Sequence, residues 1–253
     1  MNLLYSKPII ALKKIAVDII ASNFVGWTIR RIYNNAIPHN DKKVYTDNDS
    51  ITNKIVSYIF FNVYESSEIR YINQYLNTNY PVVELGSSLG IVAMQIASKT
   101  AQQIYSVEAN PNLIPIIKNN LKKNNIKNCS VNNYIIANSE QQFFFEPGND
   151  NTTGYISTNR SEKSIAIESV SLSNFLQQNH ISQYVLICDI EGAEIFIVKE
   201  DPNSLDNCRQ IIIELHDTTY QNRRFSIDEL ALMIKQLGFN EKAAYAGNVV
   251  FER

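Results

Sequence analysis

The chain lacks most of the features that assign a protein quickly. Its 253 residues carry 23 Lys and Arg against 25 Asp and Glu, a formal net charge of −2. No broad basic field exists to hold a phosphate backbone, so no nucleic-acid partner is expected. Only three cysteines occur, Cys129, Cys188 and Cys208. Widely spaced, they make neither a disulfide framework nor, alone, a four-ligand zinc site, and they read as free thiols of a reducing compartment. No apolar run reaches the roughly 20 residues that span a bilayer, because Lys13, Lys14 and Asp18 interrupt Pro8 to Ile29. A secretory leader fits poorly as well, since basic residues sit inside and after that run. The sequons at Asn48, Asn128, Asn151 and Asn159 are read as accidents of an Asn-rich chain. Repeats and low-complexity blocks are absent. So are a P-loop and the G-x-G-x-x-G spacing of a dinucleotide site.

What is present is a chain that can fold. Hydrophobic residues make up 45% and charged residues 19%, enough apolar surface for a core and too little charge for disorder. The length suits one large domain with an extension. Ile9, Leu12, Ile15, Ala16 and Ile19 recur at helical spacing with lysines between them, which predicts an amphipathic helix packed on the body. Lys13, Lys14, Trp27, Arg30 and Arg31 keep open weak contact of this helix with a membrane surface. The expected location is the cytoplasm, free or peripheral to the inner face of a membrane. His39 to Asn53 reads as a loop or short strands, and Ile55 to Leu76 as one helix containing Tyr64 and Glu65. The oligomeric state is not legible.

From Tyr80 onward short apolar strands alternate with helices. Strands are expected at Pro81 to Leu85, Ile104 to Glu108, Cys129 to Ile136, Tyr184 to Asp189, Ile211 to Leu215 and Val249 to Phe251. Helices are expected at Ile91 to Ser98, Pro111 to Lys123, Ile195 to Lys199 and Ser226 to Leu237. Near-continuous apolar strands of this kind belong to a sheet covered on both faces. The expected architecture is therefore an α/β, doubly wound, mostly parallel Rossmann-like sheet over residues 79–253, behind a helical extension over residues 1–78 that covers the site. Phe143 to Val170 breaks the alternation and reads as a β-hairpin insertion.

Ligands of such sheets bind at the carboxyl ends of the strands. Glu84-Leu85-Gly86-Ser87-Ser88-Leu89-Gly90 leaves the first strand there, with glycines where a tight turn and a close ligand approach need them. Glu108 ends the second strand, where a carboxylate can bind ribose hydroxyls. Together they point to an adenosine-containing cofactor. A loop with an acid and two serines suits the sulfonium and amino-acid end of S-adenosyl-L-methionine better than a pyrophosphate.

With these residues in view, the chain resembles the FkbM-type family of class I S-adenosylmethionine-dependent methyltransferases. The resemblance is carried by Val82 to Gly90, by Val107-Glu108-Ala109-Asn110-Pro111, by Ile187-Cys188-Asp189-Ile190-Glu191-Gly192-Ala193-Glu194, and by Ile212-Ile213-Glu214-Leu215-His216. It runs from about Tyr64 to Phe251. The first loop of the family usually reads Asp-x-Gly-Ala-Asn-x-Gly. Here Glu84 replaces Asp, Ser87 replaces Ala and Ser88 replaces Asn, while both glycines remain. The resemblance implies methyl transfer to a hydroxyl, the acceptor being a sugar, a polysaccharide precursor or a natural product. It also implies that Tyr64 and Glu65 cover the cofactor. A noncatalytic module that kept the fold is the alternative, motivated by the altered loop.

The expected cofactor residues are Glu65, Glu84, Gly86, Ser88, Gly90, Glu108, Ala109, Ile136, Ala137, Asn138 and Asp189. Asp189, His216 and Glu191 are the catalytic candidates. Asp189 could orient the acceptor or take its proton, and His216 has the ordinary pKa of a general base, although a core-edge histidine reads equally well. Glu191 and Glu194 flank a helix start, where acids also serve the helix dipole. Asp189, Glu191, Glu214, His216 and Asp217 hold enough ligand atoms for a divalent ion, but a metal is not part of the expected site.

Overall fold

The computed structural model describes residues 21–48, 51–137, 142–148, 154–245 and 247–253. The expected helix before Ala21 lies outside them. In chain order the elements are α1 (Asn23–Tyr33), β1 (Ala36–His39), β2 (Lys42–Tyr45), α2 (Asn53–Phe60), α3 (Ser66–Tyr75), β3 (Val82–Leu85), α4 (Ile91–Ala97), β4 (Ile104–Val107), α5 (Ile114–Lys123), β5 (Cys129–Asn132) and β6 (Ile135–Ile136). There follow β7 (Phe144–Pro147), β8 (Gly154–Ser157), β9 (Ile165–Ala166), β10 (Ser169–Val170), α6 (Leu172–Gln178), β11 (Tyr184–Cys188), β12 (Cys208–Glu214), β13 (Thr218–Tyr220), β14 (Arg223–Phe225), α7 (Ile227–Gln236), β15 (Asn240–Tyr245) and β16 (Asn248–Glu252).

Seven strands form the central sheet in the order β15-β16-β12-β11-β3-β4-β5. The five from β12 to β5 run parallel, and β16 lies antiparallel between β12 and β15. The expected doubly wound α/β sheet is therefore present. Alternation along the strands builds two cores. Val83, Leu85, Leu186 and Cys188 face Phe175, Ile234 and Phe251 on one side. Val82, Val185, Ile187 and Ile212 face Tyr71, Ile72, Val92 and Ile96 on the other. β4 follows β3 on one side while β11 flanks it on the other, so the order reverses at β3 and opens a crevice at the strand ends.

Local chemistry fixes the helix starts. Ser226 accepts from the Glu229 N–H while the Glu229 carboxylate accepts from the Ser226 N–H, a complete capping box on α7. Ser171 and Thr52 cap α6 and α2 in the simpler way. Several boundaries differ from those read in the sequence. The single helix expected over Ile55 to Leu76 is two, broken between Phe60 and Ser66, with left-handed backbone at Asn62 (φ 52°) and Glu65 (φ 51°). The strand expected over Cys129 to Ile136 is also divided, and its second half, β6, pairs with β10 rather than with β4. The insertion is a separate antiparallel sheet, β8-β7-β9, beside the main one. Sequence reading missed α6, β15 and the β13–β14 hairpin, which are short or have exposed faces.

The N-terminal segment does not stand apart. Ile29, Ile37, Val44, Ile55 and Ile59 share one core with Leu89, Met94, Ile117 and Leu121. Asn120, wholly buried, joins the two: its amide donates to the Leu89 carbonyl at 2.9 Å and its Oδ1 accepts from the Tyr45 N–H at 2.7 Å. Asn120→Ala leaves both backbone groups buried and unpaired, and should cost about 2–3 kcal/mol in urea unfolding.

Candidate active site

The crevice is a cleft of about 340 Å³ lined from four directions, within the size range of small-molecule sites. β3 contributes Leu85, Gly86 and Ser88, β4 contributes Glu108, Ala109 and Asn110, and β11 contributes Asp189, Ile190 and Glu191. Tyr64 and Glu65 arrive from the break between α2 and α3. Left-handed backbone at Asn62 and Glu65 separates the two helices, which an unbroken helix could not do while presenting both side chains.

Gly86 is sterically required. Its φ is +88°, and a Cβ there would overlap the backbone carbonyl of Asp189. The loop behind it is tied at every step. Ser87 Oγ donates to Glu84 Oε2 at 2.9 Å, and Ser106 Oγ bonds the same oxygen. Ser88 is left-handed (φ 46°), its N–H donates to Glu108 Oε2 at 2.8 Å, and its Oγ pairs with Tyr64 Oη at 2.8 Å. Glu108 Oε1 accepts from the Asn110 N–H at 2.7 Å. The two serines that depart from the family pattern thus hold the loop together.

Of the expected cofactor residues, Glu65, Gly86, Ser88, Glu108, Ala109, Ile136 and Asp189 line the cleft. Three do not. Glu84 points beneath the loop, buried, as an acceptor for serines rather than a ligand contact. Gly90 begins α4, where a Cβ would press on the Ile117 side chain at 2.9 Å, so its place is a packing requirement. Ala137 is a core residue whose N–H donates to the Val170 carbonyl. Asn138 lies outside the described residues. Sequence reading missed Phe145, Gly154, Tyr155 and Ile156, which come from the inserted sheet and form one wall. The aromatic run Phe143 to Phe145 was the available signal.

Carboxylates crowd the floor. Burial and the repulsion of Glu214 and Glu191 push Glu65 up to about 7. Burial, with a smaller push from Glu84, moves Glu108 up to about 7 against the N–H groups that donate to it. Asp189 is held well above the usual carboxylate range by burial and by Glu65 and Glu214. Among the described residues no lysine or arginine forms an ion pair with any of them. His216 is the cationic partner. Its Nδ1 lies 3.2 Å from Glu194 Oε1, and its Nε2 lies 3.5 Å from Glu191 Oε2 and 3.9 Å from Asp189 Oδ1. The hydrogen bond to Glu194 is the main reason its pKa rises to about 9. The ring is therefore protonated at neutral pH, which corrects the expectation of a ready general base.

The wider ligand set also contracts. Glu214 accepts from the Asn248 amide at 2.9 Å. Asp217 pairs with Arg224 and caps the Ile227 N–H. That leaves Asp189, Glu191 and His216 with donor atoms within 4.8 Å of one another.

A parallel sheet with a glycine loop after its first strand, an acid at the end of its second and a carboxylate at the switch point defines a nucleoside-cofactor transferase of the Rossmann-like kind. A model of the methyltransferase FkbM domain matches residues 91–241, more than half of the chain, and the chain belongs to that S-adenosyl-L-methionine-dependent family. The match starts beyond Gly86, so the loop and Tyr64–Glu65 rest on the geometry above. A search of the curated proteins found no match. Among solved structures, the chain is similar to a Streptococcus pneumoniae protein provisionally described as a tRNA (m1A22) methyltransferase, crystallised with S-adenosyl-L-methionine (14% identity, TM-score 0.46, 74% of this chain and 72% of that one). It is also similar to a precorrin-6y C5,15-methyltransferase from Geobacter metallireducens (11%, 0.42, 75% and 85%). A third is a ribosomal protein L11 methylase from Lactobacillus delbrueckii subsp. bulgaricus (12%, 0.43, 75% and 78%). At these TM-scores none of the likenesses bears on the acceptor.

The His216 arrangement sets a pH dependence. A folded-state pKa raised above 6.5 means that His216 stabilises the fold fully below pH 6.5 and loses that contribution as pH rises through about 9. NMR titration of the imidazole in chelator-treated protein should give a midpoint near 9, moving back toward the unperturbed value of about 6.5 in Glu194→Gln.

Proposed function

We propose that the chain is an O-methyltransferase acting on a hydroxyl of a small molecule or glycan, such as a sugar, a polysaccharide precursor or a natural product. The observation that carries this reading is the place of Asp189. Asp189 lines the cleft beside Glu191, and His216 lies behind them at 3.9 Å from Asp189 and 3.5 Å from Glu191, so proton-handling groups meet the cleft at this point.

When bound, S-adenosyl-L-methionine supplies an electrophilic methyl on a cationic sulfur. The residues fit it. The missing Cβ at Gly86 leaves room for close approach, and Glu108, anchored by the Ser88 and Asn110 N–H groups, keeps lone pairs for ribose hydroxyls. Glu65 and Asp189 would face the amino and sulfonium charges, and Ile136 would pack on the adenine. Tyr64, fixed by Ser88, would close the near side. On the acceptor side Asp189 orients the hydroxyl or takes its proton. His216, protonated, donates a hydrogen bond to the acceptor oxygen instead of removing its proton. Phe145, Tyr155 and Ile156 form the wall that limits water.

Calorimetric titration with S-adenosyl-L-methionine tests the donor half. Glu108→Ala should weaken binding at least tenfold, the loss of hydrogen bonds to a charged acceptor. A cationic ligand prefers ionised carboxylates, so affinity should fall as pH drops through about 7, where Glu65 and Glu108 take up protons. The expected slope is about tenfold per pH unit for each group. Transfer of labelled methyl to a panel of hydroxyl acceptors tests the other half, and transfer only to amines would overturn the O-methyl reading.

We further infer that the protein works in the cytoplasm and that α1 touches a membrane surface. No helix among the described residues is long and apolar enough to cross a membrane. Phe24, Trp27 and Ile32 are exposed on α1, and the Arg31 guanidinium lies 5.0 Å from the Trp27 ring centre, the pairing of aromatic and basic groups that suits an anionic interface. Phe24→Ser with Trp27→Ser should lower co-flotation with anionic vesicles, and unchanged flotation would remove this contact.

A further inference from the structure

We propose that Asp189, Glu191 and His216 form a binding site for a divalent first-row metal ion on the acceptor side of the cleft. That position, though not the site itself, rests on the methyltransferase reading. The three residues come from the ends of two adjacent strands, β11 and β12, brought together only by the sheet. The histidine is oriented from behind. Glu194, with a side chain that is 0% exposed, engages Nδ1 through Oε1, and the same oxygen accepts from the Ile190 and Gly192 N–H groups. Nε2 is thereby presented to the two carboxylates, the relay that metal-binding histidines use, and an ion bound there would displace the Nε2 proton, so binding weakens as pH falls.

The spacing suits an ion. Donor atoms bound at about 2.0–2.2 Å sit roughly 3.0–3.5 Å apart around one centre. Nε2 stands 3.5 Å from Glu191 and 3.9 Å from Asp189, and the three donor atoms lie within 4.8 Å of one another, so an inward movement of Glu191 would complete the triad. Glu191, with 64% of its side chain exposed, is free to make that movement. Two carboxylate oxygens and one imidazole nitrogen are a borderline donor set, suited to Mn²⁺ or Zn²⁺.

An independent observation indicates missing positive charge here. Glu68, on α3, is only 7% exposed, makes no hydrogen bond among the described residues, and directs a carboxylate oxygen to within 4.8 Å of those of Asp189 and Glu65. Asp189 Oδ1, 3.9 Å from His216 Nε2, and Glu194 Oε2 are likewise buried without a hydrogen-bond partner. Unpaired buried carboxylates are costly, and no lysine or arginine among the described residues pairs with them. Glu65, Glu68 and Asp189 form a second triad, but it has no histidine to offer and takes up Glu65 as well. The His216 triad places the ion where it would fix the acceptor oxygen opposite the donor methyl.

The test uses the full chain, freed of metal and titrated with Mn²⁺ by calorimetry and electron paramagnetic resonance. One Mn²⁺ per chain is expected, with affinity lowered at least tenfold in both Glu191→Gln and His216→Asn, and with selective paramagnetic broadening of the His216 ring signals. Absence of binding, or binding that both variants retain, would overturn the site. Glu191 is exposed enough that its variant folds even if the His216 variant does not. Metal-free titration with S-adenosyl-L-homocysteine reads the methyltransferase assignment separately. Failure there with Mn²⁺ still bound would remove that assignment and leave the ion site standing.

Discussion

Two parallel strands, β3 and β11, end side by side, and the chains leaving them must share one narrow space. Gly86 makes this possible because no side chain stands between its backbone and the Asp189 carbonyl. With that contact in place, the loop from Gly86 to Gly90 folds over Glu84 and lays Ser88 on Glu108. Asp189 is then held at the bottom of the opening between them. The Gly86 loop and the Asp189 segment meet at this point because the two backbones can touch there.

The second organising feature is electrostatic. Sheet topology gathers carboxylates from β4, β11 and the α2–α3 break into one cleft, and among the described residues only His216 pairs with any of them as a base. Burial and mutual repulsion favour the protonated forms of Glu65 and Asp189, while the hydrogen bond to Glu194 favours a protonated His216 against its burial. Perturbed groups of this sort cluster at functional sites.

The N-terminal segment contributes to both features. Its core is continuous with that of α4 and α5, and Asn120 links the β1–β2 hairpin to the carbonyl of Leu89 within the glycine loop. The same segment supplies Tyr64 and Glu65 through a helix break at left-handed residues. The extension is therefore part of the wall of the site as well as its cover.

The sequence alone placed six of the seven strands of the sheet and the helices α4, α5 and α7, because short apolar strands and capped helices are written in local composition. It also placed Gly86, Glu108, Asp189 and His216 at strand ends, because an α/β chain binds its ligands there. Only the tertiary structure decided that Glu84 turns away from the cleft, since that depends on Ser106 of the neighbouring strand. It alone decided that His216 is a cation, since Glu194 lies 22 positions away and meets it only through the pairing of β11 with β12. The helix break before Glu65 and the wall of Phe145 and Tyr155 were likewise settled by long-range packing. Proton affinity and side-chain direction are set by neighbours in space, and those neighbours are fixed only once the sheet has formed.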